Sequence, residues 1–257
     1  MSERSLGPGT RVRNEHLQDG YDVRVEWGQE GTALLGLTCA VVVVVDVLSF
    51  CTAVDVALGR GATVLPLAGR DEQAAAARGA VLAGERDGPG WSLSPSSLLT
   101  LPAGTCLALP SPNGAALCVT AGRLGAHVLA GCLRNAAAVA RTAQHLAAGG
   151  PIGVVPAGER WTLPGAPLRP ALEDVVGAGA ITAVLPGAFS PEAELAAQQF
   201  AAARRRGLRG VLAAGASGRE LVTDGFGADI ALAAECDTGD VAPRLREGVL
   251  APAAAPA

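Results

Sequence analysis

The chain has 257 residues, of which 49% are hydrophobic, and it carries a formal net charge of −4. This length and apolar content are sufficient for a folded core and exclude a disordered chain. The acidic balance argues against a nucleic-acid surface, which needs a dense basic patch. The six cysteines form no Cys-x-x-Cys pair, so we interpret them as reduced thiols of a cytoplasmic protein.

The two ends of the chain look different from its centre. The first twenty residues contain no apolar segment typical of a signal peptide, and we predict a mobile tail over residues 1–20. A single α/β domain is predicted over residues 21–250, with room for two subdomains, and a disordered tail over residues 251–257. The first strand of the domain is expected in YDVRVEWG, which begins at Tyr21.

Five consecutive valines, residues 41–45, lead directly into Asp46. One interpretation is a membrane-spanning helix, because Asp46 is the only charged residue between Thr32 and Val54. A central aspartate costs a spanning helix about 2.5–3.5 kcal/mol, and branched valines favour strands, so we prefer a buried strand. Asp46 then either caps the following helix or supplies a carboxylate to a functional site.

One order of segments recurs along the chain: a short apolar run, a polar break and an alanine-rich helical stretch. The examples are AVVVVVDVLSF before CTAVDVALGRG, ATVLPLAGR before DEQAAAARGA, TCLALPSPNG before AALCVTAGRLG, and HVLAGCLRN before AAAVARTAQHLAAGG. Further strands are expected in IGVVPAGERW and GVLAAGASGRE, and further helices in LEDVVGAGAITAVL and from Pro191 to Arg206. This alternation predicts a three-layer α/β/α fold with a mostly parallel sheet.

Polar side chains follow the predicted strands, and the carboxyl ends of parallel strands meet at the edge of the sheet where ligands bind. We expect the following residues to converge there: Asp46, Ser111, Asn113, Gly114, Arg134, Asn135, Glu159, Arg160 and Ser217. Carboxylates beside arginines suit a small anionic substrate held with Mg²⁺, which prefers oxygen ligands. Asp46, Glu159, Glu173 and Asp174 are the candidate ligands, and Arg134 and Arg160 the candidate clamps for phosphate.

Several of these features also have an ordinary structural interpretation. Asn113-Gly114 by itself is typical of a turn, and Glu173-Asp174 at the start of a helix is favoured by the helix dipole. The tetrapeptide AGER occurs at residues 83–86 and again at 157–160, which indicates either two similar strand-end loops or chance. The chain contains no lysine and no Gly-x-Ser-x-Gly motif, which excludes a P-loop and a serine-hydrolase elbow.

Six motifs occur in a fixed order: VVDVLSFCTAVDVALGRGA, LPSPNGAAL, AGCLRNAAAVA, PAGERW, RPALEDVVGAGAI and SGRELVTDGFGADIALAAECDTGDVAPRL. Together they resemble the 2-phosphosulfolactate phosphatase family over about Tyr21 to Val249. This family comprises Mg²⁺-dependent phosphatases associated with coenzyme M biosynthesis. The resemblance implies that the protein hydrolyses the phosphate ester of a small, doubly anionic acid.

Carried over by position, the resemblance implies an active site made of Asp46, Ser111, Asn113, Gly114, Asn135, Glu159, Arg160, Glu173 and Asp174. We predict that Asp46 and either Glu173 or Asp174 hold Mg²⁺. Glu159 would orient a water for in-line attack, and Arg160 would neutralise charge on the transferring phosphoryl group. The two asparagines would hydrogen-bond substrate oxygens.

The sequence departs from the family pattern at two places. Ser49 follows Leu48 where the family usually has arginine, and WSLSPSS at residues 91–97 replaces a Gly-Asn-Ser-Pro stretch. Both changes fall on predicted substrate contacts, so 2-phosphosulfolactate or a related 2-phospho acid is a family expectation for the substrate. The expected partners are this small acid and a second copy of the chain in a dimer, with no nucleic acid and no membrane.

Two alternatives remain open at this point. The first is a non-catalytic member of the same fold that binds small anions and has lost turnover with the change at Ser49. The second is a different hydrolase that uses Cys51 or Cys132 as its nucleophile, although no histidine is placed to activate a thiol.

Overall fold

The computed structural model describes residues 13–161, 165 and 167–254. The strands are β1 (Val23–Val25), β2 (Val41–Val45), β3 (Thr63–Leu67), β4 (Val81–Leu82), β5 (Cys106–Pro110), β6 (His127–Gly131), β7 (Ile152–Pro156), β8 (Glu159–Arg160), β9 (Leu168–Arg169), β10 (Pro243–Arg246) and β11 (Val249–Pro252). The α-helices are α1 (Gly28–Thr38), α2 (Phe50–Gly59), α3 (Glu72–Ala77), α4 (Gly114–Gly122), α5 (Ala136–Ala147), α6 (Leu172–Thr182), α7 (Pro191–Arg206), α8 (Leu208–Ala214), α9 (Ala216–Thr223) and α10 (Gly227–Ala233). Two 3₁₀ helices cover Asn14–Leu17 and Pro95–Thr100.

Nine strands form one sheet in the order β1-β7-β2-β6-β10-β11-β3-β5-β4. Parallel pairing joins β1, β7, β2 and β6 into one group and β3, β5 and β4 into another. The antiparallel hairpin β10–β11 lies between the groups and pairs antiparallel with β6 on one side and β3 on the other. Helices cover both faces, so the structure confirms the predicted α/β fold with a mostly parallel sheet.

The three antiparallel pairings make the two parallel groups run in opposite directions within the sheet. In a flat sheet, the carboxyl ends of β2 and β5 would therefore lie at opposite edges. Instead, α4 contacts β2, β3 and β6, and α2 contacts both β3 and β6. The sheet curves around these two helices and brings the end of β5 to the end of β2.

The valines of β2 are all fully buried, and they alternate between two cores. Val41, Val43 and Val45 pack with α5, α6 and α7 on one face, and Val42 and Val44 pack with α1, α2 and α4 on the other. Because successive side chains of a strand point to opposite faces, a strand covered on both sides needs an apolar residue at every position. The valine run is thus the central strand, as predicted.

The structure excludes the membrane-span interpretation of residues 32–54. That segment is divided among α1, β2 and α2. No helix within the described ranges has both the length and the apolar character needed to cross a bilayer.

Several elements differ from the sequence predictions. The strand expected in GVLAAGASGRE is wrong, because residues 208–214 form α8 and pack against α7, α9 and α10. A short run of alanine, leucine and valine does not distinguish a buried strand from a buried helix, and the neighbouring helices decide here. Helix α1 and the hairpin β10–β11 were not predicted at all.

Parts of both predicted tails have a defined structure. The 3₁₀ helix at Asn14–Leu17 adjoins β1: Leu17 O accepts a hydrogen bond from Arg24 Nη1 at 2.9 Å, and Gln18 Nε2 donates to Val25 O at 2.8 Å. Strand β11 extends to Pro252, beyond the predicted end of the domain at residue 250. The remaining parts of the tails, residues 1–12 and 255–257, lie outside the described residues.

Candidate active site

Asp46 follows β2 directly and is 4% exposed. Its Oδ1 accepts a hydrogen bond from Phe50 N at 3.2 Å, in the first turn of α2. Its Oδ2 accepts from Gly114 N at 2.8 Å and from Ser111 Oγ at 3.5 Å. Asp46 therefore satisfies a free N–H of α2 and also joins the end of β2 to the start of α4.

Gly114 is required by this junction. A Cβ at residue 114 would lie 2.6 Å from Phe50 Cδ1 and 2.7 Å from Asp46 Oδ2, distances that no side chain tolerates. The Asn113-Gly114 pair is therefore more than a turn signal. It permits the close approach through which the loop after β5 reaches the carboxylate after β2.

Asp174 fixes a second junction at the same edge of the sheet. Its side chain is 4% exposed, with Oδ1 accepting from Val47 N and Oδ2 accepting from Gly158 N, both at 2.8 Å. Val47 follows Asp46, and Gly158 lies in the loop after β7. Asp174 thus holds the two strand-end loops together and orients the backbone that carries Asp46.

Glu173 precedes Asp174 on α6 and is 3% exposed. Its carboxylate makes no hydrogen bond or ion pair with any described residue. Its Oε2 lies 3.7 Å from the position that a Cβ on Gly215 would occupy, so the carboxylate faces the start of α9. Glu173 is therefore the acid, of the three that include Asp46 and Asp174, whose carboxylate is engaged by no described residue.

Glu159 lies on the short antiparallel hairpin of β8 and β9. Its Oε1 accepts from Asn113 Nδ2 at 3.0 Å and from the Arg160 backbone N at 2.7 Å. The first of these bonds links the loop after β5 to the AGER loop after β7. Arg160 is exposed, and its guanidinium has no partner among the described residues.

The acids of this edge influence one another. Burial, with further contributions from the charges of Glu159 and Glu173, raises the pKa of Asp46 to about 6, although hydrogen bonds from Gly114 and Phe50 lower it. Burial also raises the pKa of Asp174 well above its usual value, and the charges of Asp46 and Glu173 add to this effect. The four carboxylates therefore form one electrostatic cluster.

The donor set of the cluster fits a hard cation. Asp46 and Glu173 offer carboxylate oxygens only, and Mg²⁺ commonly takes one or two carboxylates while it keeps several waters. Within the part of the chain that the structure describes, no three His, Cys, Asp or Glu side chains converge closely enough to form a complete metal cage. The residues present therefore suit a partly hydrated ion rather than a fully protein-ligated one.

Arg134 and Asn135 are engaged in a different network. Arg134 Nε donates to Asp55 Oδ2 at 2.7 Å, and its Nη1 pairs with Glu235. Asn135 is fully buried, and its Oδ1 accepts from Cys132 N at 2.9 Å. No hydrogen bond within the described part of the chain joins either residue to Asp46 or its partners, so these two predicted substrate contacts are not bonded to the carboxylate cluster.

Ser217 lies in α9, not after a strand as expected. Its Oγ accepts a hydrogen bond from Arg169 Nη2 at 3.1 Å. Arg169 is the residue opposite Glu159 in the antiparallel pairing of β8 and β9. Its guanidinium lies 5.9 Å from the centre of the Trp161 ring. Ser217 is thus connected to the candidate site through an arginine that the sequence analysis did not select.

Arg86 and Asp229 are further polar residues near Asp46 that the sequence analysis did not select. Arg86 Nη2 donates to Ser49 Oγ at 3.1 Å, and Nη1 donates to Asp229 Oδ2 at 2.8 Å. The repeated AGER motif could have indicated Arg86, because both copies follow a strand of the sheet and the second copy contains the predicted site residues Glu159 and Arg160. No local signal indicated Asp229, because its partners are distant in the chain.

The structure does not favour a cysteine nucleophile. Cys51 and Cys132 are fully buried, and burial raises the pKa of both thiols. Cys51 Sγ also donates a hydrogen bond to Val44 O at 3.3 Å. Both cysteines are therefore expected to be protonated, whereas a nucleophilic cysteine reacts as the thiolate.

The fold and the carboxylate cluster define a class of protein: an α/β protein with clustered buried carboxylates and nearby arginines at one edge of its sheet. A comparison with protein-family models specifies the family. The model described as 2-phosphosulpholactate phosphatase matches residues 32–248, nearly the whole chain. The chain belongs to this family, which confirms the resemblance of the motifs and implies a phosphoric monoester hydrolase.

Proposed function

We propose that the protein is a Mg²⁺-dependent phosphatase that hydrolyses the phosphate ester of a small anionic acid, 2-phosphosulpholactate or a related 2-phospho acid. The observation that carries this proposal is the buried cluster of Asp46 and Glu173 beside the hydrogen-bonded pair of Glu159 and Asn113. Asp46, Glu159 and Asn113 come from strand ends and Glu173 from the start of α6, in a chain that belongs to a phosphatase family.

Asp46 and Glu173 are the proposed ligands of the metal ion. A bound Mg²⁺ would neutralise charge on the phosphoryl oxygens and polarise the phosphorus for attack. Asp174 was the other candidate ligand, but both of its carboxylate oxygens accept hydrogen bonds from backbone N–H groups, which supports a positioning role for it.

Glu159 is the proposed base that orients the attacking water. Its Oε1 is fixed by Asn113 and by the Arg160 backbone N–H, and no described residue engages Oε2, which could therefore accept a proton from a water. Arg160 is exposed beside it, with a guanidinium that no described residue engages, so it is available to a phosphoryl oxygen. Ser111 and Asn113 shape the loop on the other side of Asp46.

The test is phosphate release from an aryl phosphate, 2-phospholactate and 2-phosphosulpholactate, with Mg²⁺ and with EDTA. Metal-dependent turnover that is fastest on the acid esters supports the proposal. No turnover by the folded protein on any of the three esters would instead favour a non-catalytic anion-binding member.

The two AGER motifs provide a matched pair of variants. Glu159→Gln removes the proposed base, and we expect at least about a hundredfold loss of kcat. Glu85 holds the same position in the first motif, but it is exposed and lies 3.8 Å from Arg70, so Glu85→Gln should retain full activity. Full activity of Glu159→Gln would remove Glu159 from the mechanism.

A further inference from the structure

The Arg86 guanidinium is held in a fixed position. Asp229, which is fully buried, accepts from Arg86 Nη1 at 2.8 Å. The other oxygen of Asp229 accepts from Ser94 Oγ at 2.7 Å and from Ser96 N at 3.0 Å. The guanidinium also lies 5.3 Å from the centre of the Phe226 ring, a cation–π distance. Contacts on two sides therefore leave this side chain little freedom.

The free edge of this guanidinium faces the candidate active site. Arg86 Nη2 donates to Ser49 Oγ at 3.1 Å, and Ser49 precedes α2 at the turn that begins with Asp46. An arginine has five N–H donors. Apart from the bonds to Asp229 and Ser49, those of Arg86 donate to no described residue, and its side chain is still 22% exposed.

Arg86 and Glu159 approach Asp46 from different loops. Glu159 is bonded to Asn113, in the loop that delivers Gly114 N to Asp46 Oδ2. Arg86 is bonded to Ser49, in the loop that delivers Phe50 N to Asp46 Oδ1. If the phosphoryl group lies beside Glu159, Arg86 is placed for the other end of a short substrate.

We propose that Arg86 binds the second acidic group of the substrate, its carboxylate or sulfonate, and thereby selects 2-phospho acids over simple phosphate esters. A rigid guanidinium with free donors matches such an oxyanion by paired hydrogen bonds. Asp229 positions Arg86 and does not contact the substrate. This inference rests on the proposed phosphatase function and adds the residue that sets its specificity.

The test compares 2-phospholactate with isopropyl phosphate, in which a methyl group replaces the carboxylate. Arg86→Gln should lower kcat/KM for 2-phospholactate by about fiftyfold, mainly through KM, because charge-assisted hydrogen bonds are lost. Its loss on isopropyl phosphate should be at least tenfold smaller. Arg86→Lys keeps a charge opposite Asp229, which protects the fold, and should still raise KM for the acid ester several-fold.

Arg70→Gln is the matched control, because Arg70 binds the same segment through Ala83 O at 3.1 Å but is far more exposed. It should leave both substrates unaffected. Equal losses on both esters in Arg86→Gln and in Arg86→Lys, with a lowered melting temperature, would show a purely structural ion pair and overturn the proposal.

A binding measurement separates this inference from the proposed function. If the wild-type protein hydrolyses neither ester, calorimetric titration with 2-phospholactate decides the role of Arg86. Binding to the wild type that is lost in Arg86→Gln supports the anion-binding role even though phosphatase activity fails. Equal binding to both proteins, or no binding to the wild type, overturns it.

Discussion

Two acidic sites in this protein, the buried Asp55 and the buried carboxylate cluster around Asp46, differ in their counter-charge. Asp55, 3% exposed, is paired with Arg134, which also pairs with Glu235. The cluster of Asp46, Glu173 and Asp174 has no hydrogen bond from an arginine among the described residues, although it is equally buried. Backbone N–H groups satisfy Asp46 and Asp174, and no described residue satisfies Glu173.

This difference distinguishes a structural ion pair, Asp55 with Arg134, from a candidate functional site around Asp46. An arginine that neutralises a buried acid removes the need for another cation, so Asp55 has its counter-charge within the chain, although its Oδ1 accepts no hydrogen bond from a described residue. In the Asp46 cluster, burial and neighbouring acids together raise the pKa of Asp46 to about 6. Such an arrangement is typical of a functional site in which a bound cation or a proton compensates the negative charge.

The largest expected effect comes from Asp46→Asn. Asparagine keeps one of the two backbone hydrogen bonds through its Oδ1 and turns its Nδ2 toward the other backbone N–H, so the variant should fold with a lowered melting temperature. The loss of a metal-binding charge should reduce phosphate release from 2-phospholactate by at least about a thousandfold. Near-native activity in the folded variant would contradict the proposed metal-binding role of Asp46.

Arg134→Gln tests the structural role of the ion pair between Arg134 and Asp55. It leaves Asp55 buried and unpaired, so the free energy of unfolding should fall by about 3 kcal/mol, measured by urea denaturation. The exposed Arg123 is a suitable control, and Arg123→Gln should change it by less than about 0.5 kcal/mol. If Arg134→Gln instead raised KM and left stability intact, the predicted substrate contact at Arg134 would be restored.

Addition of Mg²⁺ should stabilise the wild-type protein through the Asp46 cluster. At one hundred times the dissociation constant, a ligand that binds only the folded state adds about 2.7 kcal/mol. The melting temperature should therefore rise with Mg²⁺ and return with EDTA, and Glu173→Gln should abolish most of the rise. An equal rise in Glu173→Gln would remove Glu173 from the proposed ligands.

The smallest expected effect is a pH dependence of the metal-free protein. The pKa of Asp46 in the folded state, about 6, is above the ordinary value of 3.8 for an aspartate, so the folded state binds more protons than the unfolded state between these values. The free energy of unfolding should therefore fall as pH rises from about 4 to about 7, by about 2 kcal/mol from this group.

The Asp46→Asn variant isolates that contribution. In EDTA, the free energy of unfolding of the variant minus that of the wild type should increase as the pH rises, because the variant lacks the buried charge. Parallel curves for the two proteins would show that Asp46 does not titrate in this range.

The sequence by itself determined the α/β class, the central valine strand and the identity of the acids at its end. These features are local: strand periodicity, helix propensity and short motifs lie within a few residues of one another. The valines and Asp46 could be interpreted without any knowledge of distant segments.

Only the tertiary structure decided which polar groups meet. The curvature of the sheet around α2 and α4 brings Gly114 to Asp46, although their strands belong to groups of opposite direction. Hydrogen bonds between distant segments of the chain also join Arg134 to Asp55 and hold Arg86 between Ser49 and Asp229. An arginine after a strand has the same local sequence signal in both cases, and its partner, distant in the chain, determines whether its charge is used within the fold or remains available to a ligand.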